Sequence, residues 1–113
     1  MEKVNINDFL EFSDERFTKR VVYKKNESVT FILNFNPGQS LPKHKHPGTD
    51  LYLYVLKGSG VLTIDGQDNQ INQGDIIHCD GEEEFSFQNS STEQVSLYVT
   101  LTKIPSELYS QNV

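Results

Sequence analysis

Residues 38–58 read GQSLPKHKHPGTDLYLYVLKG, and they carry the strongest structural signals in the chain. From residue 51 onward aliphatic residues alternate with tyrosines, which is the pattern of a β-strand with two unlike faces. Just before that strand, His44 and His46 stand two residues apart between Pro42 and Pro47. On an extended backbone such a pair projects both imidazoles from the same face. The stretch therefore predicts a strand that begins beside two convergent histidines.

Similar strand signals continue along the rest of the chain. From Phe17 onward, short runs rich in β-branched and aromatic residues are separated by turn residues, as in an all-β sandwich or barrel. Asp65 and Gly66 predict a type I′ hairpin, because both central residues of that turn need a positive φ. The predicted fold class is all-β with about eight strands, at residues 17–25, 29–36, 51–56, 60–64, 67–71, 76–79, 84–89 and 95–102.

No internal repeat, low-complexity tract or linker divides the 113 residues of the sequence. We therefore expect a single domain, residues 1–113, with a barrel core at about residues 17–104. The first dozen residues include Ile6, Phe9 and Phe12, whose spacing fits either a short helical turn or an added strand. Both alternatives stay open from the sequence alone.

Composition and charge argue against several classes of partner. The formal net charge of −6 opposes binding to nucleic acid, which requires clustered Lys and Arg. The longest apolar run, residues 51–56, is far shorter than the roughly 20 residues needed to cross a bilayer. The first ten residues lack the apolar stretch of a secretory signal, and the single cysteine, Cys79, fits a reducing compartment. We expect a cytoplasmic protein without nucleic-acid or membrane partners.

The histidine pair has two interpretations from the residues alone. Neutral imidazole binds first-row divalent metals, but two histidines make a weak site unless another His or a carboxylate completes it. The alternative is a solvated, partly basic loop, in which Lys43 and Lys45 accompany the histidines and attract a small anion. Spacing within the pair does not choose between these interpretations.

The wider spacing resembles the first motif of the cupin superfamily, which runs glycine, five residues, His-x-His, three or four residues, Glu, six residues, glycine. Gly38 stands at the first position, five residues separate it from His44, and Gly58 closes the motif. Counting six residues back from Gly58 places Leu51 where the family has its metal-binding glutamate. The resemblance therefore includes both histidines and lacks the acid.

The second cupin motif runs glycine, five residues, Pro-x-Gly, two residues, His, three residues, Asn. This chain has Gly74 and Asn89 at its two ends, while Asp80, Glu82 and Phe85 replace the proline, the second glycine and the histidine. The resemblance covers about residues 29–101. It implies a cupin double-stranded β-helix, which is a jelly-roll barrel.

In cupins three histidines and the glutamate usually hold Fe, Mn, Zn, Ni or Cu, and this chain matches two of these four ligands, His44 and His46. The resemblance implies that a divalent first-row metal (Zn, Fe, Mn or Ni) is bound weakly or not at all, since Leu51 and Phe85 offer no donor. It also implies a pocket inside the barrel, lined by His44, His46, Leu51, Leu53, Phe85 and Phe87.

Other polar residues near the motifs have structural alternatives to a functional role. Asp50 adjoins the lost glutamate position, but neighbouring residues of a regular strand face opposite sides, so only a bulge would turn it inward. His78 is either a substitute ligand or a half-buried residue with a hydrogen bond. Cys79 is expected to be a buried small hydrophobe, and the three glutamates at residues 82–84 predict a solvated turn.

Three functions remain open at this stage. The leading hypothesis is a cupin barrel that binds a small molecule in its pocket. The alternatives are a metal-dependent enzyme, of oxygenase or isomerase type, acting on a small polar metabolite, and a regulatory or assembly module. Tyr52, Tyr54 and Tyr98 lie on the face opposite the aliphatic residues and predict either a homodimer surface or a second layer within one subunit.

Overall fold

The computed structural model describes residues 1–103, which form nine β-strands in two antiparallel sheets. A short 3-10 helix, Ile6–Phe9, precedes the strands, so the N-terminal segment takes the helical of the two expected forms. The strands are β1 (Thr18–Lys25), β2 (Ser28–Phe35), β3 (Ser40–His44), β4 (Asp50–Lys57), β5 (Ser59–Ile64), β6 (Gln67–Asn72), β7 (Ile76–Asp80), β8 (Phe85–Gln88) and β9 (Val95–Thr102).

The two sheets close around one hydrophobic core. The larger sheet has the strand order β1-β2-β9-β4-β7, and the smaller has the order β3-β8-β5-β6. Alternate residues face inward, so that Leu51, Leu53 and Val55 of β4 are buried while Tyr52 and Tyr54 between them are exposed. The smaller sheet contributes Phe85, Phe87 and Leu62 to the same core. The all-β class predicted from the alternation is confirmed.

The N-terminal segment covers the outer face of β2 and β9. Asn34 on β2 is fully buried, and its Nδ2 donates a hydrogen bond to the Phe9 carbonyl at 2.9 Å. The Oδ1 of Asn34 accepts a hydrogen bond from the Ser96 hydroxyl at 2.8 Å. A buried polar group that loses its partner costs free energy, so this network holds the segment in place. The segment thereby buries the second face of β2.

The structure has one strand more than the eight predicted runs, because β3 lacks the apolar alternation that signals a strand. It also contains Pro42, which cannot donate a ladder hydrogen bond and is confined within sheets to edge strands or bulges. β3 is an edge strand of the smaller sheet, so it accommodates the proline. The sequence pattern alone therefore gave no sign of this strand.

Two further expectations concern turns and boundaries. The hairpin between β5 and β6 is confirmed, since Asp65 and Gly66 have φ of 49° and 82° and Ile64 pairs with Gln67. Residue 104, the expected end of the barrel core, lies outside the described residues. Within residues 1–103 there is no helix long and apolar enough to cross a lipid bilayer.

A β-bulge in β3 determines which of its side chains face inward. Leu41 pairs with Phe87 and His44 pairs with Phe85, so three steps along β3 match two steps along β8. Paired residues of an antiparallel ladder share a face, and both phenylalanines are buried. The extra residue therefore turns Leu41 and His44 to the same side, although residues three apart face opposite sides of a regular strand.

Gly81 joins the loop between β3 and β4 to the turn between β7 and β8. Its N–H donates to the Thr49 carbonyl at 2.9 Å, and its carbonyl accepts from the His46 N–H at 3.0 Å. The N–H and hydroxyl of Thr49 both donate to the His46 carbonyl, at 3.1 and 2.7 Å. A Cβ on Gly81 would overlap the carbonyl oxygens of His46 and Thr49. These backbone contacts fix the position of His46.

We expect Gly81→Ala to lower the free energy of unfolding by about 2–3 kcal/mol, because the added methyl group forces two carbonyls apart. Gly48→Ala in the same loop is the matched control. There a Cβ meets nothing within 4 Å and only the positive φ of 82° is strained, which costs about 1 kcal/mol. Urea unfolding followed by circular dichroism measures both losses. Equal losses would show that close packing at Gly81 does not hold the loop.

Candidate functional site

A cavity of about 710 Å³ lies inside the barrel between the two sheets. This volume is within the roughly 300–1,000 Å³ range of small-molecule sites. Both sheets supply apolar side chains to its walls, whereas its polar side chains come from the start of β1, from β3 and from the β3–β4 loop. The aliphatic part of the wall consists mainly of Leu33, Leu51, Leu53, Leu62, Leu97 and Val99.

Each of the residues expected to line a pocket lies on this cavity. The leucines reach it from β4 by the alternation of that strand, and the phenylalanines reach it from β8. The bulge in β3 turns His44 toward the cavity, and the loop after β3 supplies His46. The six are His44, His46, Leu51, Leu53, Phe85 and Phe87.

Sequence reasoning missed the contribution of the β1 region, where Arg16, Phe17 and Lys19 also line the cavity. The two cupin motifs do not extend to this part of the chain. The spacing could have suggested that Lys19 faces inward, because residues two apart on a strand share a face and Phe17, two residues before Lys19, is apolar. A lysine in that alternation does not by itself indicate an inward position.

The two imidazoles lie close together at the cavity. The ring centroids of His44 and His46 are 4.9 Å apart with the rings edge to face, and both rings contact Phe85. The Nδ1 of His44 is 2.8 Å from the Pro42 carbonyl oxygen. A carbonyl only accepts hydrogen bonds, so Nδ1 carries the hydrogen and the neutral ring keeps its lone pair on Nε2. Nε2 can therefore bind a metal ion or accept a hydrogen bond.

His46 is an uncharged imidazole at neutral pH. Burial, followed by the nearby charges of His44 and Lys19, lowers the pKa of His46 from 6.5 to about 4. The side chain is buried, with 4% of its surface exposed. A neutral ring offers one donor and one acceptor. At neutral pH His46 therefore adds a hydrogen-bonding group to the cavity wall and no further positive charge.

The residues around the histidines do not complete a metal site. Leu51 and Phe85 stand at the two other ligand positions of the cupin motifs, and both form apolar wall. Among residues 1–103 no group of three or more His, Cys, Asp or Glu side chains could hold a metal ion. The described donors therefore do not fit a four-ligand centre, and an ion here would need water or ligand atoms to complete its coordination.

Asp50 and His78 pair with each other away from the cavity. Asp50 Oδ1 lies 3.0 Å from His78 Nε2, and Asp50 Oδ2 lies 2.7 Å from Lys103 Nζ. The hydrogen bond from Lys103, and then that from His78, lowers the pKa of the Asp50 carboxyl. Asp50 is thus not turned inward, and His78 is an exposed, hydrogen-bonded residue rather than a substitute ligand in the cavity.

The cysteine and the acidic run also lie apart from the cavity wall. Cys79 is buried in the core, where burial and then the charge of Glu83 raise the pKa of its thiol to about 11. The Glu82 carboxylate accepts from the Gly48 N–H at 3.1 Å, and that of Glu83 accepts from the Asp80 N–H at 2.8 Å. Cys79 is therefore the expected small hydrophobe, and the glutamates form a hydrogen-bonded turn.

The motif residues outside the ligand positions serve the fold. Gly58 has a φ of 82°, and a Cβ there would lie 2.6 Å from the Gln94 carbonyl oxygen. Asn89 is fully buried, and its Nδ2 donates to the carbonyls of Phe35 and Glu93 at 3.3 and 2.9 Å. These residues maintain turns and close approaches of the backbone. Their presence therefore indicates the barrel fold and does not indicate which ligand it binds.

The molecule is a jelly-roll barrel with a ligand-sized cavity between its sheets. The family model for the cupin domain matches residues 31–101, and the chain belongs to this family. A crystal structure of a Klebsiella pneumoniae protein with a double-stranded β-helix domain superposes with a TM-score of 0.86 at 20% identity, covering 93% of this chain and 92% of that one. The double-stranded β-helix implied by the two motifs is confirmed.

Two relatives match about half of the chain. Dimethylsulfoniopropionate lyase DddW of Ruegeria pomeroyi is 38% identical over 58 residues, which are 51% of this chain and 38% of that protein. An oxalate-binding protein of Thermotoga maritima is 39% identical over 54 residues, which are 48% of this chain and 45% of that protein. The chain therefore spans less than half the length of either relative in these matches.

The lowered pKa of His46 predicts a pH-dependent stability. Below pH 6.5 the unfolded chain binds a proton at His46, whereas the folded chain does not bind this proton until about pH 4. The free energy of unfolding therefore decreases as the pH falls from 6.5 to about 4. Between pH 7 and pH 5 we expect a loss of up to roughly 2 kcal/mol from this residue. Urea unfolding in the presence of a chelator measures it.

His46→Gln is the control for that titration, because glutamine keeps a donor and an acceptor but does not ionise. The variant should show a smaller loss of stability between the two pH values. An identical pH dependence in the variant and the wild type would mean that protonation of His46 is not penalised by folding.

Proposed function

We propose that the chain binds a small, largely apolar molecule in the barrel cavity, with His44 and His46 among its polar contacts. The observation that carries the proposal is a cavity of about 710 Å³ in which Leu51 and Phe85 replace two metal donors by apolar wall. Apolar surface in a concave site favours a ligand that covers it, while a few convergent polar groups orient that ligand.

The chemical inventory of the cavity favours binding over catalysis. An enzyme needs a positioned acid, base or metal, and the described polar groups on the cavity wall are imidazoles and cationic side chains. Asp50, which was a candidate for a further ligand or base, is held outside by His78 and Lys103. Among the described residues of the cavity wall, only His44 and His46 are candidates for a general acid or base, and no carboxylate accompanies them.

The relatives support a small-molecule site only in general terms. One is named for binding oxalate and the other is a lyase for dimethylsulfoniopropionate. The matched segments are less than half of each protein, and a shared fold carries many unrelated functions. Their ligands are therefore not transferred to this chain.

We expect Leu51→Phe to weaken binding of the neutral fluorescent probe N-phenyl-1-naphthylamine about tenfold, because the larger side chain fills part of the cavity. Tyr52→Phe is the matched control, since it places phenylalanine at the next position of β4, on the outer face. Fluorescence titration should give that variant the wild-type affinity. Unchanged binding in Leu51→Phe would place the probe elsewhere and count against the proposed site.

A metal site formed by His44 and His46 is the second candidate function. The distance of 4.9 Å between their ring centroids and their position on the cavity favour it. A metal-dependent oxygenase or isomerase acting on a small polar metabolite would need further donors, which these two residues do not supply. We rank this candidate second because the described residues do not complete the coordination.

Elemental analysis of untagged protein, incubated with Zn²⁺ and then desalted, separates the two candidates. With only two imidazoles as donors we expect less than about 0.2 equivalents of metal to remain. The double variant His44→Ala, His46→Ala serves as the control for nonspecific metal. Near-stoichiometric metal in the wild type that disappears in the double variant would put the metalloenzyme candidate ahead.

Two other expectations stay predictions. A homodimer would use the outer face that carries Tyr52, Tyr54 and Tyr98, of which Tyr52 and Tyr54 are exposed and Tyr98 is half-buried. A cytoplasmic location follows only from the composition of the sequence. Neither is needed for the cavity to bind a ligand.

A further inference from the structure

The charged side chains described on the cavity wall are all cationic or imidazole. Arg16, Lys19, Lys43 and Lys45 line the cavity, and no carboxylate is found among the lining residues of the described chain. This bias occurs in a protein whose formal net charge is −6. A concave site with low-dielectric walls concentrates the field of such groups. The cavity is therefore a positive region in a negative molecule.

Lys19 is the half-buried member of this set, whereas the other three are exposed. Its Nζ lies 5.0 Å from the centroid of the Phe31 ring, which is itself part of the cavity wall. A cation over an aromatic face is stabilised, but by less than the loss of water from an ammonium group costs. Burial accordingly lowers the pKa of Lys19. The ammonium group is thus partly desolvated at the site.

No carboxylate of residues 1–103 forms an ion pair with Lys19. The ion pairs of this part of the chain join Arg20 to Glu11, Lys25 to Glu2, and Asp50 to His78 and Lys103. Arg20, the next residue of β1, faces the other way, and its guanidinium lies 2.7 Å from the Glu11 carboxylate. The fold supplies a counter-charge to the outward cation and leaves the inward one to be matched from outside the described chain.

Lys19 lines the cavity together with His44 and His46, so the polar end of the cavity combines an ammonium group with two imidazole rings. A carboxylate accepts a charge-assisted hydrogen bond from an ammonium group, and its attached apolar body would meet the leucine and phenylalanine wall. A neutral ligand would leave the ammonium uncompensated, and a cationic one would be repelled.

We propose that the ligand of the cavity is an amphipathic monocarboxylate, with its carboxylate on the Lys19 ammonium and its apolar body against the wall opposite. This inference rests on the proposed function of the cavity and adds the chemical class of the ligand. It assigns to Lys19, which lies outside both cupin motifs, the role of the anchoring residue.

An isosteric series tests the charge preference directly. We would compare 3-phenylpropanoate, 3-phenylpropanamide and 3-phenylpropylamine as competitors of the neutral probe N-phenyl-1-naphthylamine. A charge-assisted hydrogen bond in a partly desolvated site predicts that the acid binds roughly tenfold or more tighter than the amide, with the amine weakest. Equal binding of acid and amide would overturn the inference and leave the proposed function standing.

Lys19→Met removes the charge and keeps a flexible apolar stem of similar shape. It should abolish the preference for the acid, so that 3-phenylpropanoate and the amide bind the variant with about equal affinity. Lys24→Met is the matched control, because it makes the same change at an exposed position of β1 and should keep the preference. Lys19→Arg should also keep it. If Lys19→Met unfolds, Lys19→Gln provides the same test.

The failures of the two proposals are distinguishable. If the neutral probe binds and Leu51→Phe weakens it, while Lys19→Met leaves the acid preference intact, the cavity function stands and the anchoring role of Lys19 is wrong. If neither the neutral probe nor any member of the series binds, the proposed function fails and the ligand class fails with it. A preference abolished equally by Lys24→Met would reflect net charge and would also overturn the inference.

Discussion

The site depends on the single extra residue that β3 inserts between Leu41 and His44 against Phe87 and Phe85 of β8. Without it, a regular strand would turn one of the two inward and the other outward. An edge strand tolerates the irregularity and the proline that accompanies it, because one side of its ladder is unpaired. The bulge thus brings His44 to the cavity without interrupting either sheet.

The bulge orients His44, and the backbone contacts of Gly81 position His46. They tie the β3–β4 loop to the β7–β8 turn, so the buried His46 lies on a segment held from two directions. The close approach needs a residue without a Cβ. The backbone of His46 is therefore held in place by hydrogen bonds, as a preorganised binding site requires.

The cupin domain in this chain retains the family's architecture while the chemistry inside it differs from the family's usual centre. Gly58 and Asn89 maintain turns and buried hydrogen bonds, and they remain in place. Leu51 and Phe85 occupy ligand positions and are apolar. Lys19 contributes a positive charge from a strand outside the motifs. Family membership consequently identifies the barrel, and the local groups decide what it can bind.

The sequence by itself determined the all-β class, the Asp65–Gly66 hairpin and the inward positions of Leu51 and Leu53, because strand alternation and turn chemistry are local properties of the chain. It did not reveal β3, whose proline hides the pattern. Only the tertiary structure decided that Lys19 faces the histidines while Asp50 pairs with His78 and Lys103 outside. The physical reason is that strand pairing, register and bulges bring together residues far apart in sequence, and no local periodicity encodes those contacts.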